Sequence, residues 1–140
     1  MRDIASELAV LLEGAGLGLV RPPSLGANLF SAPMPEADGD VSDWAVALIV
    51  TGGAEPQAYL GLRRAAYLAP HCQVRVRSAR EDFEGGQRLT QAVFASLSQA
   101  VLSPYAVVRA DDSMPTYVGP DGTGCHKWVM NFVVRCLSWD

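Results

Sequence analysis

The stretch QVRVRS, residues 73–78, alternates between polar and apolar side chains with a period of two residues. On a β-strand, this period places the two valines on one face and Gln73, Arg75 and Arg77 on the other. One face therefore suits a protein core, whereas the other carries two guanidinium groups. No nucleophile or acid in the stretch pairs with the two arginines, so the sequence leaves open what an arginine-bearing strand does.

The segments around this strand predict an α+β fold. Residues 4–12 carry one apolar helical stripe, and residues 44–50 (WAVALIV) predict a buried strand. Residues 79–102 predict a second helix, and residues 125–138 alternate like a long strand with one apolar face. The order predicts a single domain, residues 1–140, with an antiparallel or mixed β-sheet and two α-helices packed on one face.

Finer features of the chain are also predicted. Residues 54–70 give mixed signals and predict a loop with at most one weak strand or turn, and residues 113–124 predict a loop. The adjacent Gly85 and Gly86 weaken the second helix and indicate a close packing partner. Ser78 is the predicted N-cap of that helix. The predicted buried stripe of the helix consists of Leu89, Val93, Leu97 and Val101.

Composition excludes several classes of protein. The odd number of cysteines, three, argues against a disulfide framework and for a reducing compartment. No apolar run approaches the roughly 18 residues of a membrane span, and the N-terminal segment resembles an amphipathic helix more than a signal peptide. The net charge of −4 argues against general nucleic-acid binding by bulk charge.

The charge is unevenly distributed along the chain. Residues 1–60 hold eight acidic and two basic residues, whereas residues 61–110 hold three acidic and seven basic residues. Ten of the eleven cationic residues are arginines, and Lys127 is the single lysine. Arginine is suited to planar, bidentate pairing at interfaces, although a GC-rich genome would also explain the preference.

The residue types of catalytic and metal sites are present, but not their spacing. His71–Cys72 and Cys125–His126 are adjacent pairs, and neighbours on a strand point to opposite faces, so neither pair is predicted to hold a metal. A small cytosolic enzyme that uses Cys72 or Cys125 remains an alternative, although no third residue that would orient the pair can be identified. The prediction is a protein without catalytic activity, cofactor or metal.

The order of motifs resembles the phage minor capsid and tail terminator proteins of long-tailed phages. The resemblance covers about residues 4–137. It is carried by VTGGAEP (50–56), by the QVRVRS strand that leads into a helix, and by MPTYVGPDGTG (114–124) before the NFVV strand. The chain departs from the pattern of that family in two places, at the glycine pair in the second helix and at an arginine-rich segment, residues 61–70.

The resemblance implies a structural virion protein, assembled in the host cytoplasm. Its expected partners are further copies of itself in a six-fold ring, the tail tube protein, and a head-side connector or stopper protein. Genomic DNA would pass through the lumen of the ring without sequence-specific binding, and no membrane is involved. Another head–tail joining or minor capsid protein is the alternative within the same class.

The resemblance suggests that the arginine face of residues 73–78 is an interface. A solvated face and a nucleic-acid contact are the alternative interpretations of these arginines. We expect Arg75 and Arg77 to face a neighbouring subunit or tail protein, since a closed ring joins different patches of identical chains. The acids Asp38, Asp40 and Asp43 are their predicted partners. An Arg75→Glu, Arg77→Glu double variant is accordingly expected to fold but not to cap tails.

Overall fold

The computed structural model describes residues 3–36, 41–55, 57–58, 65–102 and 106–139. These residues form one small α+β domain, so the predicted fold class is confirmed. Its described elements, in chain order, are α1 (Ile4–Glu13), β1 (Leu29–Phe30), β2 (Ala45–Gly53), β3 (Gln57–Ala58), β4 (Ala65–Leu68), β5 (Pro70–Ser78), α2 (Phe83–Leu97), β6 (Val101–Leu102), β7 (Ala106–Ala110), β8 (Thr116–Pro120) and β9 (His126–Trp139).

The long strand β9 organises the sheet. On one side it pairs with β5 and β4, and on the other side with β8 and β7, in each case antiparallel. Beyond β5 lies β2, also antiparallel, and β1 adds a short parallel pair at the outer side of β2. The sheet is therefore mixed, with β2 near one edge and β8 at the other.

Both helices pack on the same face of this sheet, as predicted. The apolar stripe of α1 and that of α2 bury against the inward residues of the central strands. From Trp128 to Cys136, every second side chain of β9 is buried, which follows from the period of the sequence. The fully or nearly buried members of β9 are Trp128, Met130, Phe132, Val134 and Cys136.

The close packing partner predicted at the glycine pair is found at Gly86. A Cβ atom at this position would collide with the side chains of Ser78 and Trp128. The helix can approach the sheet this closely only because residue 86 has no side chain. The start of α2 therefore packs directly against the paired strands β5 and β9.

Two predictions about α2 are wrong. Its N-cap is Asp82, whose carboxylate accepts a hydrogen bond of 3.0 Å from the Gly85 amide, whereas Ser78 is the buried last residue of β5. The helix ends at Leu97, so Val101 belongs to β6 and is 72% exposed. Asp82 displaces Ser78 as the cap because the strand pairing of β5 with β9 extends through Ser78.

The two predicted loops contain strands. Residues 54–70 include β3 and β4, which pair with each other and extend the β2–β5 pair into a hairpin arm. Residues 113–124 include β8, whose side chains are mostly exposed. These strands are held by pairing with a long neighbouring strand and not by burial of one face. They therefore lack the apolar alternation by which a half-buried strand is recognised.

No helix within the described ranges has the length and apolar character that a membrane span requires.

Candidate protein-interaction surface

The side of the sheet that faces away from the helices is the surface on which the arginine strand lies. We call it the open face. Alternation along the strands and the registers of β2, β5, β9 and β7 bring its residues into rows across the sheet. The open face comprises Ile49, His71, Gln73, Arg75, Val107, Arg109, Lys127, Val129, Asn131, Val133 and Arg135.

Arg75 is exposed at the centre of the open face. Its cross-strand neighbours are Ala47 on β2 and Val129 on β9, and its Nε donates a 2.9 Å hydrogen bond to Oε1 of Gln73. Among the described residues, no carboxylate forms an ion pair with Arg75. The guanidinium group is therefore available to a partner, as the sequence-based hypothesis requires, although its partner remains a prediction.

Arg77 was expected to face a neighbouring subunit, and this expectation is wrong because the residue is buried. Only 3% of the residue is exposed. Its Nε donates to the backbone carbonyl of Asp43 (3.0 Å), Nη2 to that of Ser42 (2.8 Å), and Nη1 to that of Pro35. A buried arginine needs hydrogen-bond acceptors, and here each of its three guanidinium nitrogens donates to one backbone carbonyl.

Arg77 thus anchors Pro35, Ser42 and Asp43 to β5. Of the three predicted acidic partners, Asp43 is in contact with Arg77, but through its backbone carbonyl and not its carboxylate. Asp38 and Asp40 lie outside the described residues. Pro33, Met34 and Arg75 are among the residues that line a cavity of about 290 Å³. Arg77 acts within the chain, and Arg75 is the arginine of the strand that faces outward.

The turn between β8 and β9 is held by Asp121. Its Oδ1 accepts hydrogen bonds from the Thr123 hydroxyl (2.6 Å), the Thr123 amide (2.8 Å) and the Cys125 amide (3.1 Å). These bonds, with the Thr123 hydroxyl foremost, and Lys127 at 3.5 Å lower the pKa of Asp121 to about 2. The carboxylate thus stabilises the turn that immediately precedes β9.

An aromatic cluster beside β8 was not found from the sequence. Phe83 at the start of α2 contacts Tyr117, His126 and Trp128, with ring centroids 5.2–5.4 Å apart. The Tyr117 hydroxyl lies 2.8 Å from Nδ1 of His126. Phe83 and Tyr117 remain 39% and 42% exposed. Because three separate elements supply the four rings, no local pattern reveals the cluster.

The cysteines do not have the surroundings of a nucleophile. All three are buried, and burial, together with the nearby Cys136, raises the pKa of the Cys72 thiol to about 12. A catalytic thiol needs the opposite shift, because the thiolate is the reactive form. In the described parts of the chain, no group of three or more His, Cys, Asp or Glu side chains is arranged to hold a metal ion.

The burial of the thiols predicts their reactivity. In the folded protein at pH 8, we expect a maleimide to label none of the three cysteines over minutes, whereas all three react in denaturant. Mass spectrometry of both samples measures the labels. Rapid labelling of Cys72 or Cys125 in the folded state would contradict this and would revive the cysteine-dependent enzyme.

Comparison with known proteins adds a likeness of fold. The sequence matches no protein-family profile and no curated protein. Among solved structures, it is similar to a chain in the virion of a native gene transfer agent particle, with a TM-score of 0.52 and 16% sequence identity. The likeness covers 94% of this chain and 84% of the other. At this identity the two chains share a fold.

Proposed function

We propose that the protein is a structural virion component, and more specifically a tail terminator that forms a ring on the end of the tail tube. The observation that carries the proposal is the likeness in fold, over 94% of this chain, to a chain of a gene transfer agent virion. The sequence motifs that resemble tail terminators point in the same direction. The described residues offer an exposed, basic sheet face and no arrangement typical of catalysis.

In this proposal, the ring ends tube growth and presents a surface to the head-side connector or stopper protein. Genomic DNA passes through the lumen. Arg75, together with Arg109 and Arg135, makes the open face positive, whereas the first 60 residues are acidic. Opposite charges on different parts of one chain suit a head-to-tail contact between identical subunits. The acidic partners proposed from the sequence are Asp38, Asp40 and Asp43, the last of which is held in place by Arg77.

Surface ion pairs of this kind add little to affinity. An exposed pair contributes about 0–1 kcal/mol, whereas like charges brought together suppress wrong partners. We therefore assign Arg75 to the choice and register of the partner, and the bulk of the binding energy to apolar contacts.

Deletion of the gene in a strain that produces the particle tests the function. Without a terminator, tube growth is unchecked, so electron microscopy is expected to show tails of variable and excessive length. The wild-type gene supplied in trans restores a single length, and the Arg75→Glu variant is expected to restore it in fewer particles. Tails of normal length in the deletion strain contradict a terminator. Tails of normal length that detach from heads would assign the protein to head–tail joining instead.

A further inference from the structure

The cavity that Arg75 lines on the open face has apolar walls and cationic donors. It lies between the segment that follows β1 and the strands β2, β5 and β9. Among the described residues, none that lines this cavity is acidic. The apolar lining residues are Ala32, Pro33, Met34, Ala47 and Ile49, and the polar ones are Gln73, Arg75 and Lys127. The cavity of Arg75 therefore has the chemistry of a site for an anion that carries an apolar part.

A chain of side-chain hydrogen bonds orients the guanidinium group of Arg75. Nε2 of Gln73 donates to Oδ1 of Asn131 (3.4 Å), and Oε1 of Gln73 accepts from Nε of Arg75 (2.9 Å). Nε is thereby used, whereas Nη1 and Nη2 have no acceptor among the described residues. These two nitrogens lie side by side in one plane, which is the arrangement that binds both oxygens of a carboxylate. Asn131 and Gln73 thus preorganise Arg75 for a planar anion.

Lys127 supplies a second cation to the same cavity. It lies two residues before Val129, the cross-strand neighbour of Arg75, and side chains in this diagonal relation reach one another across a sheet. Its Nζ is 3.5 Å from a carboxylate oxygen of Asp121, which offsets part of its charge. Arg75 is therefore the principal cation of the cavity. Apolar walls strengthen its attraction for a bound anion, because they lower the local dielectric constant.

The surroundings favour a single carboxylate over a polyanion. An adjoining cavity shares Met34 and Lys127 with this one and is also lined by Glu36 and Asp121. These two acids would repel the successive phosphates of a nucleic acid, whereas one carboxylate bound by Arg75 stays on the cationic side. The apolar walls suit the methylene stem of a side chain, and a hydrated phosphodiester would lose its water there. The chemistry therefore indicates an acidic residue of a protein.

The chain itself carries acids that complement this site. The described part of the first 60 residues has one basic residue, Arg21. None of the exposed acidic residues in that part lines the cavity of Arg75. They are Asp3, Glu13, Glu36, Asp43 and Glu55. A cationic site and an acidic surface on different parts of one chain are complementary between copies.

We propose that the cavity of Arg75 binds an acidic side chain of a neighbouring copy, whose carboxylate is held by Nη1 and Nη2 and whose stem packs against Met34 and Ile49. This inference rests on the proposed ring and names the site in one subunit that receives the next. Because the site and the acid lie on different parts of the chain, the contact is heterologous and suits a closed ring. Gln73 and Asn131 are positioning residues that act through Arg75.

The scarcity of lysine allows a direct test of this contact. Lys127 is the single lysine of the chain, so Arg75→Lys adds one identifiable amine to the cavity. Isotope-labelled and unlabelled protein are mixed, assembled and treated with a carbodiimide, which joins an amine directly to a neighbouring carboxylate. Mass spectrometry is expected to find residue 75 joined to an acidic residue of a chain with the other label.

Two controls accompany the cross-linking. Lys127 lies next to Asp121 in the same chain, so a link between them is expected in every sample and shows that the reagent has worked. Arg88→Lys makes the same substitution at an exposed position of α2, on the other side of the sheet. It is expected to give no link between chains.

Three results of the cross-linking would overturn the inference. One is an assembled ring without any link from residue 75, although Lys127 and Asp121 are joined. Another is a link only to an acid of the same chain, such as Asp38 or Asp40. The third is a link only to the tail tube protein.

Subunit affinity provides the second readout. Arg75→Gln is expected to weaken association by about fivefold, near the upper end for an ion pair of this exposure, with an unchanged melting temperature. Gln73→Met removes the acceptor that orients the guanidinium and is expected to weaken association by about twofold. In the Arg75→Gln background, Gln73→Met is expected to add no further loss, since it acts only through Arg75. Sedimentation over a range of concentrations measures the four proteins.

The outcomes separate this inference from the proposed function. A ring that caps tails but shows no link from residue 75, or whose association is unchanged by Arg75→Gln, overturns the site and leaves the terminator role intact. If Arg75→Gln instead weakens the binding of a duplex DNA probe in fluorescence anisotropy and leaves association unchanged, the cavity binds phosphate and the inference is overturned. A protein that stays monomeric, alone and with tail tubes, overturns both.

Discussion

Arg77→Glu is expected to lower the free energy of unfolding by about 3–5 kcal/mol, which is the range seen when one partner of a buried charged interaction is removed. The substitution places a carboxylate against the carbonyls of Pro35, Ser42 and Asp43, which now accept hydrogen bonds from the guanidinium. Buried acceptors facing a buried anion have no donor. The loss is large compared with a total stability of about 5–15 kcal/mol for a domain.

Arg75→Glu is the matched control, because it makes the same chemical change two residues away on the same strand. Arg75 is exposed, so we expect a change within about 0.5 kcal/mol. Urea denaturation followed by circular dichroism measures both variants. Arg77→Lys should fall between them, since one ammonium group cannot span three carbonyls as the planar guanidinium does. Equal and small losses for both glutamate variants would show that the hydrogen bonds of Arg77 to Pro35, Ser42 and Asp43 do not stabilise the fold.

This result would also change the design of the functional experiment. The double variant Arg75→Glu, Arg77→Glu, expected from the sequence to fold normally, would lose tail capping through instability as well as through any lost contact. Arg75→Glu alone separates the two effects.

Gly86→Leu is expected to lower the free energy of unfolding by about 3 kcal/mol, near the upper end of the usual cost of overpacking. Even a Cβ atom at residue 86 collides with Ser78 and Trp128, so a whole leucine side chain must displace α2 from the sheet. The gain in helix propensity over glycine, about 1 kcal/mol, offsets only part of this cost.

Gln87→Leu is the control for that experiment, because it introduces the same side chain at the next helical position, which is exposed. We expect its effect to stay within about 0.5 kcal/mol. A smaller substitution tests whether the collision with Ser78 causes the loss of stability. Gly86→Ala should be less damaging in a Ser78→Gly background than alone, because the two residues collide directly and such neighbours are non-additive. Additive losses, or a harmless Gly86→Leu, would contradict the close approach of α2.

The features that depend on local periodicity were predictable. The alternation in QVRVRS and in residues 125–138 identified the two central strands and their buried faces, because a strand buried on one face repeats every two residues. The stripes at Leu8, Leu12, Leu89 and Val93 identified two helices with one apolar face each. An antiparallel or mixed sheet with both helices on one face follows from these patterns, and the structure confirms it in the mixed form.

The features that depend on partners distant in sequence were not predictable. β8 is a strand because β9 pairs with it, and its exposed side chains give no alternation. The aromatic cluster joins Phe83 to Tyr117 and His126 across separate elements. The pairing of β5 with β9 through Ser78 likewise moved the N-cap of α2 to Asp82.

The sequence by itself determined that the chain is an α+β domain whose strand at residues 73–78 has an apolar face and an arginine face. Only the tertiary structure decided that the two arginines differ. Both follow the same two-residue period, so no local pattern distinguishes them. The backbone carbonyls of Pro35, Ser42 and Asp43 accept hydrogen bonds from Arg77, which is buried, whereas Arg75 stays exposed. Burial of a charged side chain depends on what the rest of the chain places above it, and that is a property of the fold.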